Sequence, residues 1–239
     1  MCGRFALKAP KAELITHFRL DEFEGESDDF PAHYNIPPGT DIAVIRQSPE
    51  GKRVLHRLRW GLIPHWSKDP SIGAKLNNAR GESVNEKPSF RNAFAKRRCL
   101  IPVSGFFEWK PEGKIKQPYY FSSANGHLLA LGGLWESWKA PDGSIVRTTC
   151  IITTAANELM APVHDRMPVI VEAADWQRWL ASPAEEVADL VEQLGRKRTR
   201  ADARRVGLGD AEHVVERPRP HAGTGRRLPG GGIGAGNEG

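Results

Sequence analysis

Cysteine stands second in the chain, in Met1-Cys2-Gly3-Arg4-Phe5. An initiator methionine is usually removed when the next side chain is small, so this placement predicts a Cys2 that carries both a free α-amine and a thiol. An α-amine titrates at about 7.7–8.0 and a free thiol at about 8.5, so both give up protons within reach of neutrality. Together they form a 1,2-aminothiol. The amine condenses with an aldehyde to an imine, and the thiol then closes a five-membered thiazolidine ring. An internal cysteine has an amide nitrogen and cannot do this. The other reading of Cys2 is a small buried side chain behind a retained Met1.

Five further groups could serve such chemistry, each with a plainer alternative. Arg4 lies two residues from Cys2, on the same side of a strand, where it could neutralise a phosphate or carboxylate; otherwise it is an arginine paired at the surface. Asn78-Ala79-Arg80-x-Glu82 spaces polar side chains at alternate positions, which face one way in an extended segment. Asn78 could orient an amine or a carbonyl oxygen and Arg80 could clamp a phosphate, or the segment is a hydrogen-bonded plug. Glu108 sits among aromatics in Gly105-Phe106-Phe107-Glu108-Trp109. Buried there it would have a raised pKa and exchange protons; facing outward it would be an ordinary surface carboxylate. His164, in His164-Asp165-Arg166, is either an acid–base group or structural. Trp66 either stacks on a base or sugar or fills the core.

These groups need elements to hold them, and the chain supplies mostly short strands. Residues 2–6, 41–47 and the stretch where Val54, His56, Leu58 and Trp60 share one face read as strands. So do 98–103, 106–110, 118–122, 128–135 and 145–154, joined by hairpin turns at Pro111-Glu112-Gly113, Asn125-Gly126 and Pro141-Asp142-Gly143. Helical stripes appear at Leu14-Ile15-Phe18, around Phe90-Phe94, over 155–161 and 173–180, and at Val187-Leu190-Val191-Leu194. This is an α+β chain, mainly antiparallel β, with a barrel-like sheet core and peripheral helices.

Of 34 basic and 29 acidic residues, ten and five fall in 195–239, leaving 24 of each sign before it. Eleven of the 24 glycines also lie in 195–239, and no apolar period continues there. The expectation is therefore one domain over 1–194 and a disordered basic Gly/Arg-rich tail over 195–239. Nucleic-acid binding by the neutral body would need a local patch. The three cysteines make no disulfide framework and no zinc spacing, and Cys99 and Cys150 sit in apolar runs as core residues. No signal peptide, membrane span, Gly-rich phosphate loop or metal-ligand spacing is read, so the expected setting is the cytoplasm, or a nucleus where the host has one.

Taken together the segments Cys2-Gly3-Arg4-Phe5, Tyr34-Asn35-x-x-Pro38-Gly39, Trp60-Gly61-x-x-Pro64-x-Trp66, Asn78-Ala79-Arg80-x-Glu82, Gly105-Phe106-Phe107-Glu108-Trp109 and His164-Asp165-Arg166-x-Pro168 resemble the SOS-response-associated peptidase (SRAP) family, proteins that crosslink to abasic sites in DNA. The resemblance spans residues 2–168, with the six motifs in the family's order. It implies an SRAP-like fold and a Cys2 that, after Met1 removal, forms a thiazolidine with the ring-opened aldehyde of an abasic site in single-stranded DNA. It implies Asn78, Glu108 and His164 as the rest of the catalytic site and Arg4, Trp66, Arg80 and Arg166 as DNA contacts. It implies no cofactor, no metal, no membrane and a monomer in the DNA damage response. Ser67 stands where some members have a second tryptophan, and the family's closing strand, with Val-Ser and Val-Asn elements, is not found beyond Leu194. Two other readings remain: an N-terminal-nucleophile peptidase or amidohydrolase using Cys2, and a single-strand binder in which Cys2 is structural.

Overall fold

Short apolar strands build two packed sheets in the computed structural model, which describes residues 2–23, 31–196 and 201–205. In chain order the elements are β1 (Arg4–Leu7), α1 (Lys11–Phe18), β2 (Glu22–Phe23), β3 (His33–Ile36), β4 (Asp41–Gln47), β5 (Arg53–Trp60) and β6 (Asn78–Arg80). Then come α2 (Arg91–Lys96), β7 (Arg98–Val103), β8 (Gly105–Glu112), β9 (Ile115–Ser123), β10 (Leu129–Lys139) and β11 (Ile145–Ala155). The chain continues through β12 (Arg166–Pro168), α3 (Trp176–Ala181), α4 (Ala184–Arg196) and β13 (Ala201–Arg205).

β5 shows how pattern becomes placement. Val54, His56, Leu58 and Trp60 are buried, while Arg57 and Arg59 between them are exposed. β4 pairs antiparallel with β5 and β7, β7 with β10, and β10 with β11. β11 then returns to β5 in parallel through Thr148↔Arg59 and Thr149↔Trp60, so five strands close into a barrel. The second sheet runs β13-β9-β8-β1-β3 and is antiparallel throughout. Its inner face carries Phe5, Phe106 and Phe121, all buried, with the Phe106 and Phe121 rings stacked 5.4 Å apart. Phe5 meets the barrel's Trp60 at 5.0 Å between ring centroids, joining sheet to barrel.

The expected barrel-like core with peripheral helices is what forms, and the three hairpin glycines Gly113, Gly126 and Gly143 take positive φ as such turns require. In α4, Val187, Leu190, Val191 and Leu194 line the buried face. Cys99 and Cys150 are buried free thiols, and burial pushes Cys99 up to about 12. No described helix is long and apolar enough to cross a membrane.

Two expectations change. The stretch read as a helix over 155–161 is not one: Ala155 ends β11 and residues 158–163 are turns, short of the length at which a helix persists without a packed face. The tail is not unstructured throughout: α4 runs past residue 194, and Ala201–Arg205 is a strand paired in register with β9, from Ala201↔Ser123 to Arg205↔Tyr119. Its sequence, Ala201-Asp202-Ala203-Arg204-Arg205, has no apolar alternation. Backbone pairing to an open sheet edge, rather than side-chain pattern, decides it. The remainder of 195–239 lies outside the described residues.

Candidate active site

The last residues of β11 gather the site. One edge of β11 carries β6, with Ile151↔Asn78 and Thr153↔Arg80, and the other carries β12, with Ala155↔Arg166. This brings Asn78 to Arg80 and His164 to Arg166 to one end of the barrel. The five-stranded sheet supplies the rest, because β1 follows Cys2 and pairs with β8, Arg4 opposite Phe107, which places Glu108 beside the start of the chain.

Asn78 is the link between the two halves. Its Nδ2 donates to the Cys2 carbonyl at 2.9 Å. Its Oδ1 is buried and has no hydrogen-bond partner among the described residues, which leaves an acceptor at Cys2. The Trp60 indole donates to the Asn77 carbonyl at 2.9 Å and so fixes the backbone beside Asn78.

Cys2 is 0% exposed. Burial holds its thiol well above the ordinary range and the negative charge of Glu108 adds to the effect, while the terminal ammonium and the Arg4 backbone oppose it. The thiol is thus neutral in the resting site. Glu108 is 2% exposed, which excludes the outward-facing alternative. Desolvation raises its pKa, against the terminal ammonium first and His164 next. A carboxyl coupled to Cys2 on one side and to His164 on the other is placed to move protons between them.

His164 is oriented by backbone. The Arg166 N–H donates to its Nδ1 at 2.9 Å, while an Asp165 carboxylate oxygen lies 2.9 Å from the same nitrogen. A neutral Nδ1 suits the first contact and a protonated one the second. The backbone donor is fixed at the start of β12, whereas Asp165 is 86% exposed, so water screens its pull on the ring. Nδ1 is therefore the acceptor, and in the neutral ring Nε2 bears the proton.

The arginines differ in setting. Arg166 is clamped: its Nη1 and Nη2 donate to Glu82 at 2.6 and 2.9 Å, and Nη2 also reaches the Thr153 carbonyl at 2.8 Å. This fork holds the Glu82 carboxyl below its usual range. Glu82 itself has left the strand for a 3-10 turn, so only Asn78 and Arg80 share the alternation read from the sequence. Arg80 is exposed. Arg4 is half-buried and its Nη1 donates to Asn35 at 3.1 Å. Trp66 is 50% exposed, its indole donating to the Pro88 carbonyl at 3.3 Å, so it is not a core tryptophan.

Sequence reasoning missed the supports. Asn35 and Thr153 hold Arg4 and Arg166, and only Asn35 carried a signal, as part of the Tyr34-Asn35 motif. A cleft of about 780 Å³ opens beside Glu82, but its walls include Glu82, Glu158, Asp189 and Glu192 and none of Cys2, Glu108 or His164. Among the described residues no three His, Cys, Asp or Glu side chains are grouped to hold a metal ion.

Comparison with known proteins shows the family and the fold. Abasic site processing protein YoqW of Bacillus subtilis (strain 168) is 42% identical over 195 residues, covering 81% of this chain and 86% of that protein. Abasic site processing protein HMCES of Xenopus tropicalis is 30% identical over 187 residues, covering 66% of this chain and 56% of that protein. A crystal structure of a Bacteroides thetaiotaomicron protein superposes with a TM-score of 0.79 at 24% identity, covering 89% of this chain and 95% of that one, and shares the fold. One from Bordetella bronchiseptica gives 0.74 at 25%, covering 87% and 100%. Residues 1–207 match the family described as SOS response associated peptidase (SRAP), and the chain belongs to that family.

Proposed function

We propose that this protein processes abasic sites by capturing the ring-opened aldehyde of an abasic deoxyribose in single-stranded DNA on the aminothiol of Cys2. The observation that carries the reading is the bond from Asn78 to the Cys2 carbonyl, with the buried Glu108 alongside. It fixes a residue that, once Met1 is lost, is the nucleophile. Relatives named abasic site processing proteins, one of them 42% identical, support abasic sites as the substrate class.

The chemistry balances without a cofactor. The Cys2 amine adds to the aldehyde carbon, and the carbinolamine loses its hydroxyl as water to leave an imine. The Cys2 sulfur adds to the imine carbon and its proton passes to nitrogen, which closes the thiazolidine. One water is released overall. Glu108 takes the proton from the attacking amine and later from the neutral thiol. Asn78 Oδ1 accepts from the amine and aims its lone pair. His164, with its proton on Nε2, serves the sugar oxygen during ring opening. Arg4 and Arg80 meet phosphates beside the lesion, Arg166 holds the rim through Glu82, and the exposed Trp66 stacks on a neighbouring base.

The test is a denaturing gel with a single-stranded oligonucleotide carrying one abasic site, followed by intact mass. The expected adduct has the mass of the chain without Met1 plus the oligonucleotide minus one water, and Cys2→Ala abolishes it. An undiminished heat-stable adduct in Cys2→Ala, or an active preparation that retains Met1, overturns the mechanism.

A further inference from the structure

We propose that the outer face of the five-stranded sheet is a second nucleic-acid contact, an aromatic and cationic platform on which bases of the same strand stack beyond the lesion. The proposal rests on the reading of the substrate as single-stranded DNA and extends it to a surface outside the catalytic crevice.

The register of the sheet sets the platform out in a row. Residue 204 of β13 lies opposite Tyr120 of β9, Tyr120 opposite Phe107 of β8, and Phe107 opposite Arg4 of β1. The next row, Phe5, Phe106 and Phe121, faces the core. The outer row is therefore not needed to bury the barrel contact. The Phe107 ring lies 4.8 Å from Tyr120 and 6.5 Å from Trp109. Lys8 Nζ sits 5.2 Å from the Tyr34 ring centroid and 5.7 Å from that of Tyr120. Tyr34, Tyr120, Trp109, Lys8 and Arg4 are all half-buried, whereas Phe107 is 3% exposed and supports the neighbouring rings from below rather than stacking on a base itself.

A patch meant for a protein core would exclude cations from between its rings. Here they alternate, the composition that binds single strands: every base has a face to stack, and the backbone charge needs a cation at each step. Arg4 also ties the platform to the nucleophile. It is two residues, about 7 Å of strand, from Cys2.

An undamaged single-stranded oligonucleotide is the probe, since it has no aldehyde and its binding is blind to the covalent chemistry. Fluorescence anisotropy across a salt series should show Lys8→Glu and Tyr120→Leu each weakening binding by about tenfold. Lys8→Glu should also flatten the slope of log affinity against log salt by about 0.7, one single-strand phosphate contact. Unchanged affinity and slope in both folded variants overturns the proposal. If a variant does not fold, photocrosslinking of wild type to a 5-iodouracil oligonucleotide decides: adducts mapping to 107–120 support the platform, and adducts confined to the Trp66 loop overturn it. A platform that binds while the abasic oligonucleotide forms no adduct would leave this proposal standing and sink the aldehyde mechanism; the reverse would sink only the platform.

Discussion

Glu108→Gln separates the charge of the buried carboxyl from its shape. Two effects oppose each other. Losing a general base costs about 100- to 10,000-fold. Burial is the main cause of the raised Cys2 thiol pKa, but the Glu108 charge is the second, and removing that charge eases thiol ionisation. The net slowing should therefore lie below or at the lower end of that range, about ten- to a thousandfold in single-turnover crosslinking. The pH profile should change too. Wild-type rate should rise as pH passes through the raised pKa of Glu108, and the variant should lack that limb. Stability moves the opposite way. Because the folded carboxyl has a raised pKa, the folded state holds its proton where the unfolded chain has lost it, so ionisation costs stability as pH rises. The glutamine variant should then melt higher than wild type at pH 8 and converge with it near pH 4. Wild-type rate, an unchanged pH profile and equal melting at pH 8 would together refute the placement of a buried, proton-exchanging carboxyl.

Asn78→Ala removes the bond to the Cys2 carbonyl and should slow crosslinking by about two- to twelvefold, the worth of one hydrogen bond; an unchanged single-turnover rate would show that Cys2 is held by other means. Arg166→Met should lower the melting temperature at pH 7, because the buried Thr153 carbonyl loses its donor and Glu82 its fork. Since Arg166 depresses the Glu82 pKa in the fold, the gap to wild type should narrow as pH falls below the carboxylate range. A gap that widens in acid would contradict the pairing. A chain ending at residue 194 should melt lower than one ending at 205 and should self-associate, because β9 then becomes an open edge; light scattering alongside melting decides it.

The barrel strands were readable because their apolar runs match their burial, which is continuous along β7 and most of β10 and β11. β7, β10 and β11 lie within a few residues of the apolar runs at 98–103, 128–135 and 145–154. What could not be read is pairing between distant segments. Nothing local in Arg59-Trp60 indicates that it closes the barrel on Thr148-Thr149, because parallel closure is set by shear around the ring. β13 was unreadable for a related reason. Its residues carry no face pattern, and its place follows from the free edge of β9, which lies some 80 residues earlier in the chain.

The site divides along the same line. Cys2, Glu108 and His164 announce themselves by residue type; β1–β8 pairing joins the first two, and His164 reaches them only because β12 pairs with β11 and the sheet packs on the barrel. Asn78 is different, since one side chain bridges barrel and sheet, and its two polar atoms face two needs of Cys2. That bridge explains why a strand of three residues persists at all. β6 is too short to stand by packing, and it is held by parallel pairing to β11 and by the Trp60 indole on Asn77. Cys2 is thus located by the closure of the barrel, through β6 and Asn78. Under the proposed mechanism, a lesion entering between sheet and barrel would meet an amine whose position the folded core has already set.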